Sequence, residues 1–156
     1  MSPSLRFRAM RGVVVTALFV AMPSCKHGKC EDGGSSSAGR DSHNAGADCQ
    51  SCHLPDGEGE GCWTIGGTVY DPNGDHPSAA AQFRLFTAPL GKGSLKLQLE
   101  GDQNGNVYTS QDVAFGNGLF AAVINANGDT AFMSEAIRDG ACNRCHGRST
   151  DRIELP

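Results

Sequence analysis

Two five-residue stretches of this chain can do the same chemistry: CQSCH at residues 49–53 and CNRCH at residues 142–146. C-x-x-C-H is the attachment spacing of c-type haem. Two cysteines separated by two residues reach the two vinyl groups of one porphyrin as thioethers, and the adjacent histidine takes the iron from one face. Cys49, Cys52 and His53 would hold one haem c, and Cys142, Cys145 and His146 a second, so the spacing predicts two covalently bound haem c groups. With seven Cys and five His in 156 residues, shuffling yields two such motifs in roughly one chain in ten thousand, so composition alone does not account for them. A zinc ribbon also pairs C-x-x-C, but its knuckles lie about 15–20 residues apart, far closer than these. A thioredoxin-like site needs a βαβ setting that the intervening sequence does not offer.

The group on each iron's second face decides its use. An open face binds gas or peroxide, while a closed one passes electrons. Once a leader carrying Met1, Met10 and Met22 is removed, the candidates are His27, His43, His76 and Met133. His76 in GDHPS reads as a turn residue, and His27 as an exposed residue of a tether. His43 precedes Cys49 by six positions and resembles the upstream histidines of multihaem cytochromes, which often ligate an adjacent haem. Met133 supplies a thioether sulfur. His43 and Met133 are therefore the expected distal ligands. If six antiparallel strands separate the motifs, both motifs come to one end of the sheet with Met133, and His76 lies at the other.

The first 24 residues have the order of an export signal: Arg6, Arg8 and Arg11, then an apolar run from residue 12 to 22 that is short for a membrane span. MPSC at residues 22–25 resembles the lipobox of bacterial lipoproteins, with Met22 where leucine is usual. That resemblance implies lipidation of Cys25, and Lys26 after it implies release to an outer membrane. Loss of the three arginines leaves ten basic residues against seventeen acidic ones, a formal charge of −7. Such a balance argues against nucleic acid and acidic lipid and suits redox proteins of the cell envelope, with membrane contact through the lipid alone. With Cys25 acylated, Cys30 and Cys62 remain as a pair, and an oxidising compartment would join them around the first motif.

Residues 25–48 are rich in Gly, Ser and Ala with no apolar periodicity, the composition of a flexible tether. Residues 49–61 form the first haem-binding segment. Residues 62–133 change to short β-branched and aromatic runs broken by Gly, Pro, Asn and Asp, with strict alternation in QFRLF and LKLQL. Strands are expected near residues 63–70, 81–86, 94–100, 106–110, 119–125 and 130–133, joined by DPNGD, GDQNGN and NANGD, whose Asn-Gly pairs suit tight hairpins. DQNGN from Asp102 begins like a calcium loop but lacks its closing glutamate, so it reads as a turn. Residues 134–156 hold a short helical turn, the second motif and a tail in which Arg144, Arg148 and Arg152 could face propionates.

IGGTVYDPNG, GDQNGNVYTS and FGNGLFAAVI resemble the opening strand, central hairpin and following strand of carboxypeptidase-regulatory-like and transthyretin-like domains. The resemblance implies a mainly β chain: a small antiparallel β-sandwich, non-catalytic in that family, flanked by two haem-binding segments with little helix. The order of His43, the first motif, a β domain, Met133 and the second motif resembles small dihaem c-type cytochromes of bacterial envelopes. That implies an exported electron carrier of periplasm, outer membrane or cell surface, not an enzyme. A small haem peroxidase is the alternative in another class, although the sequence offers no distal acid-base group. A structural module of an extracellular cytochrome assembly is the other alternative, and it leaves oligomerisation open.

Overall fold

A computed structural model describes residues 33–38, 42–79 and 81–156. The expected leader, Cys25, His27 and Cys30 lie outside the described residues. Eight strands form two sheets: β1 (Ile65–Tyr70), β2 (Gln82–Phe86), β3 (Leu95–Glu100), β4 (Asn106–Thr109), β5 (Phe120–Ile124), β6 (Thr130–Phe132), β7 (Gly140–Ala141) and β8 (Ile153–Glu154). The β-rich class is as expected, and among the described residues helix is confined to short 3-10 turns. Among the described residues no helix is long and apolar enough to cross a membrane.

One sheet is antiparallel in the order β3-β2-β5-β6. Its alternation turns Phe83, Leu85, Leu97 and Leu99 inward, where they meet Ile65, Val69 and Val107 of the other sheet. In that second sheet β4 runs antiparallel along one edge of β1, with Ile65 opposite Thr109 and Thr68 opposite Asn106. The other edge of β1 carries two short parallel partners in succession. β7 pairs with Ile65 and Gly66, and β8 with Val69 and Tyr70. Residues 142–152, which hold the second motif, loop out between them.

All six residues of β1 are buried. Ile65 and Val69 face the core, while Gly66, Thr68 and Tyr70 point the other way, as successive strand residues must. The outer face of this strand is covered by the chain ahead of it. Residues expected as tether dock instead. Ser35 bridges Thr109, the Ser36 hydroxyl donates to the Tyr108 carbonyl, and Ser42 binds Asp102. Their loop-like composition is real, but these hydroxyls satisfy polar groups that the sheet would otherwise bury unpaired.

Of the three Asn-Gly turns, NANGD joins neighbouring strands of one sheet, β5 to β6, through Asn125 N–H to the Asp129 carbonyl at 3.0 Å, and DPNGD closes a short antiparallel bridge of Tyr70 with Pro77. DPNGD and GDQNGN carry the chain from one sheet to the other. The expected helical turn after Met133 is extended: Ile137 and Leu119 exchange backbone hydrogen bonds. Three residues of apolar character are too few to nucleate a helix against an available strand partner. β7 and β8 were not foreseen, because two-residue strands leave no periodicity to read.

Candidate haem sites

The two motifs fold alike despite unrelated flanks. Each opens on one 3-10 turn, Cys49–Ser51 in the first and Cys142–Arg144 in the second. In both, the N–H of the second cysteine and that of the histidine donate to the first cysteine's carbonyl, at 3.2 and 3.0 Å. The first thiol turns back to a carbonyl two residues earlier, Cys49 to Ala47 at 3.6 Å and Cys142 to Gly140 at 3.5 Å. Cys52 and Cys145 are exposed, and Cys49 and Cys142 half-buried.

Both histidines are tied in the same way. His53 Nδ1 lies 3.0 Å from the Glu60 carbonyl and His146 Nδ1 2.8 Å from the Asp151 carbonyl. A carbonyl only accepts, so each Nδ1 carries the proton, and the neutral ring keeps its lone pair on Nε2. That is the arrangement of a metal-ligating imidazole whose outer nitrogen is fixed by a backbone oxygen. His53 is further held by stacking on Trp63 with ring centroids 3.7 Å apart and planes 5° apart, and Trp63 stacks on Tyr108 at 4.2 Å.

Strand β1 lies between the motifs. A β-carbon built on Gly66 would sit 2.8 Å from Cys49 Cβ, and one on Gly67 would sit 2.8 Å from Cys142 Cβ. The cysteines thus pack on consecutive residues, the first on the outer face of β1 and the second on its core side. The Gly-Gly pair exists to let both approach, the usual meaning of glycine inside a strand. Asn143 and Arg144, the variable residues of the second motif, reach back across. Asn143 Nδ2 donates to the Ala47 carbonyl at 3.0 Å, and Arg144 lies 3.6 Å from Asp48 and 3.7 Å from Asp139. The motifs are neighbours, as expected, but through a shared strand rather than through the parity of six strands.

Burial pushes the Cys49 thiol up to about 11. It pushes Cys142 up to about 12, with the nearby Cys49 adding to the effect. At neutral pH these two thiols are therefore protonated in the haem-free chain.

The distal candidates separate clearly. Met133, just past β6, lines a largely apolar groove of about 500 Å³ together with Phe132, Val123, Cys142, Cys145 and His146. That volume is within the ~300–1,000 Å³ common for cofactor sites. His43 is exposed beside the first motif, its ring centroid 6.1 Å from that of His53 with the planes 41° apart. His76 is exposed in the turn after β1, its carbonyl accepting the Asp71 N–H at 2.8 Å. Arg152 lies over the Tyr70 ring at 4.6 Å. Cys62 is in a disulfide, and the expected partner Cys30 lies outside the described residues.

Trp63, Thr68, Asp102 and Asn143 were not singled out from sequence as parts of the site. Only the Gly-Gly pair within a strand signalled a close approach. No protein-family model matches the chain, and neither a curated protein nor a solved structure matches it.

Proposed function

We propose that this chain is a dihaem c-type cytochrome that passes single electrons, exported and lipid-anchored through Cys25 to the cell envelope. The observation that carries the reading is the repetition: two C-x-x-C-H copies adopt one local structure, each with its histidine Nδ1 donated to a backbone carbonyl. Haem bound at such sites supplies a ferric/ferrous couple. Cys49 and Cys52 would hold the first group and Cys142 and Cys145 the second. His53 and His146 would offer Nε2 to the two irons, with His43 the further ligand expected at the first and Met133 at the second. Met133 sits in an apolar groove, where sulfur ligation and exclusion of water both favour the ferrous state.

β1 keeps the two attachment points a strand's thickness apart. Hydrogen bonds from Asn143 and packing on Gly66 and Gly67 hold that spacing rigidly, which suits transfer between two centres without rearrangement. Redox proteins of the envelope are the partners that this acidic chain suits, and nucleic acid is not.

Maturation in a cytochrome c assembly host, followed by intact mass and a reduced absorption spectrum, tests the proposal. The expected result is two haems per chain, and one after Cys142→Ser with Cys145→Ser. A properly matured wild type with one haem or none overturns it.

A further inference from the structure

We infer that Asp102 is a positioning residue for the first haem site: it clamps Ser42 and so sets His43 opposite His53. The inference rests on the reading of His43 as the first iron's second axial ligand. Asp102 is 3% exposed, and both carboxylate oxygens are fully used. Oδ1 accepts the N–H groups of Asn104 and Asn106, each at 2.9 Å, and so shapes the turn between β3 and β4. Oδ2 accepts the N–H of Ser42 at 2.7 Å and its hydroxyl at 2.5 Å. The same turn grips Ser42 from two more directions. Asn104 Nδ2 donates to the Ser42 carbonyl at 2.5 Å, and Asn106 Nδ2 to the Ser42 hydroxyl at 2.8 Å.

Ser42 is the residue next to His43, so five hydrogen bonds fix the segment from which the imidazole hangs, counting both of those to Oδ2 and one to Thr68 from beyond the histidine. That last bond is Gly46 N–H to Thr68 Oγ1 at 2.8 Å. Thr68 in turn donates to Asn106 Oδ1 at 2.5 Å and receives Asn143 Nδ2 at 3.0 Å. One buried polar network therefore runs from the β3–β4 turn, through the His43 segment and β1, into the second motif. Buried networks of this kind specify geometry, because a broken member leaves its partners unpaired. The turn that only superficially looked like a calcium loop has this use for its aspartate. Gly105 completes the turn at φ 71°, where a β-carbon would meet Val69 O at 2.8 Å.

The test uses the matured dihaem protein and carbon monoxide binding to its reduced form. His43→Ala should open one of the two haems. Asp102→Ala should raise carbon monoxide binding at one haem by about tenfold to a hundredfold, the effect of losing hydrogen bonds to a charged group. Added imidazole should reverse it and restore the low-spin spectrum. Asp102→Ala placed on His43→Ala should add nothing, because both act on one ligand. Ser42→Ala should act in the same direction and Ser42→Thr, which keeps the hydroxyl, should behave as wild type. If Asp102→Ala fails to mature, Ser42→Ala decides. The inference falls if His43→Ala opens a haem while Asp102→Ala and Ser42→Ala leave carbon monoxide binding unchanged, or if those variants open both haems equally. If His43→Ala itself changes nothing, the ligand reading falls first and takes the inference with it.

Discussion

Gly66→Ala and Gly67→Ala put the shared strand to a quantitative test. Each added methyl would stand 2.8 Å from the β-carbon of a motif cysteine, Cys49 or Cys142, and 3.4 or 3.3 Å from its sulfur. Carbon atoms settle about 3.5–4.0 Å apart, so each methyl needs roughly 0.7–1.2 Å of room. Little is available. The cysteine backbones are pinned by their turn hydrogen bonds, and β1 is pinned by β4 on one edge and β7 and β8 on the other. Overpacking of this kind costs about 1–3 kcal/mol. Neither glycine has positive φ, so alanine recovers about 0.4–1 kcal/mol by restricting the unfolded chain. The balance runs from about zero to a loss of about 2.6 kcal/mol, and its middle, about 1.3 kcal/mol, lowers a urea midpoint by about 0.7 M at unchanged slope. The spectral signature should divide: Gly66→Ala disturbs the first haem and Gly67→Ala the second. A Gly67→Ala protein with the wild-type midpoint and both haem spectra intact would refute the packing of Cys142 on β1.

Met133→Ala should abolish the weak long-wavelength iron–sulfur band of the oxidised protein and lower the higher of two separated potentials in a redox titration, since thioether ligation favours ferrous iron. A wild type without that band removes Met133 as a ligand. Cys25→Ser should move the protein from the membrane fraction to the released fraction on cell fractionation, because a lipid there is the anchor the sequence offers. In protein made without haem attachment, iodoacetamide at pH 8 should label Cys52 and Cys145 well before Cys49 and Cys142. Their thiols, at about 11 and about 12, are ionised to roughly one part in a thousand or less at that pH. Both values lie above the ordinary 9.0, so the stability they represent is present below about pH 9 and is lost as pH rises towards 11 and 12, which alkaline unfolding of the haem-free chain would measure.

The six longer strands were legible because each carries alternation or a β-branched run, and QFRLF and LKLQL face the core as their pattern requires. What misled was the assignment of turns. Asn-Gly reports a backbone able to adopt positive φ, not which strands it joins, so only NANGD links neighbouring strands of one sheet. Gly-Ser composition likewise reports the absence of an apolar face. It cannot distinguish a free tether from a strap such as residues 42–47, whose anchors are hydroxyls and backbone. The motif residues were plain from spacing alone. Thr68, Asn106 and Asn143 were not, because a buried polar residue announces itself only once its partners, 75 positions apart for Thr68 and Asn143, have been brought together.

The interrupted strand beside β1 has a dynamic consequence. Ala141 lies beside Gly66 and Ile153 beside Val69, so residues 142–152 leave and rejoin one strand at points about 10 Å apart, three residues of β rise. Leu155 just beyond is buried in the core, so the far end of this loop is fastened by side-chain packing as well as by its pairing with β1. The His43 strap is fastened differently, by side-chain hydrogen bonds whose chief acceptor is the buried Asp102, so the two anchors would break in separate openings that amide exchange can resolve. One small fold would thus hold one attachment point by strand pairing and the other by a polar clamp.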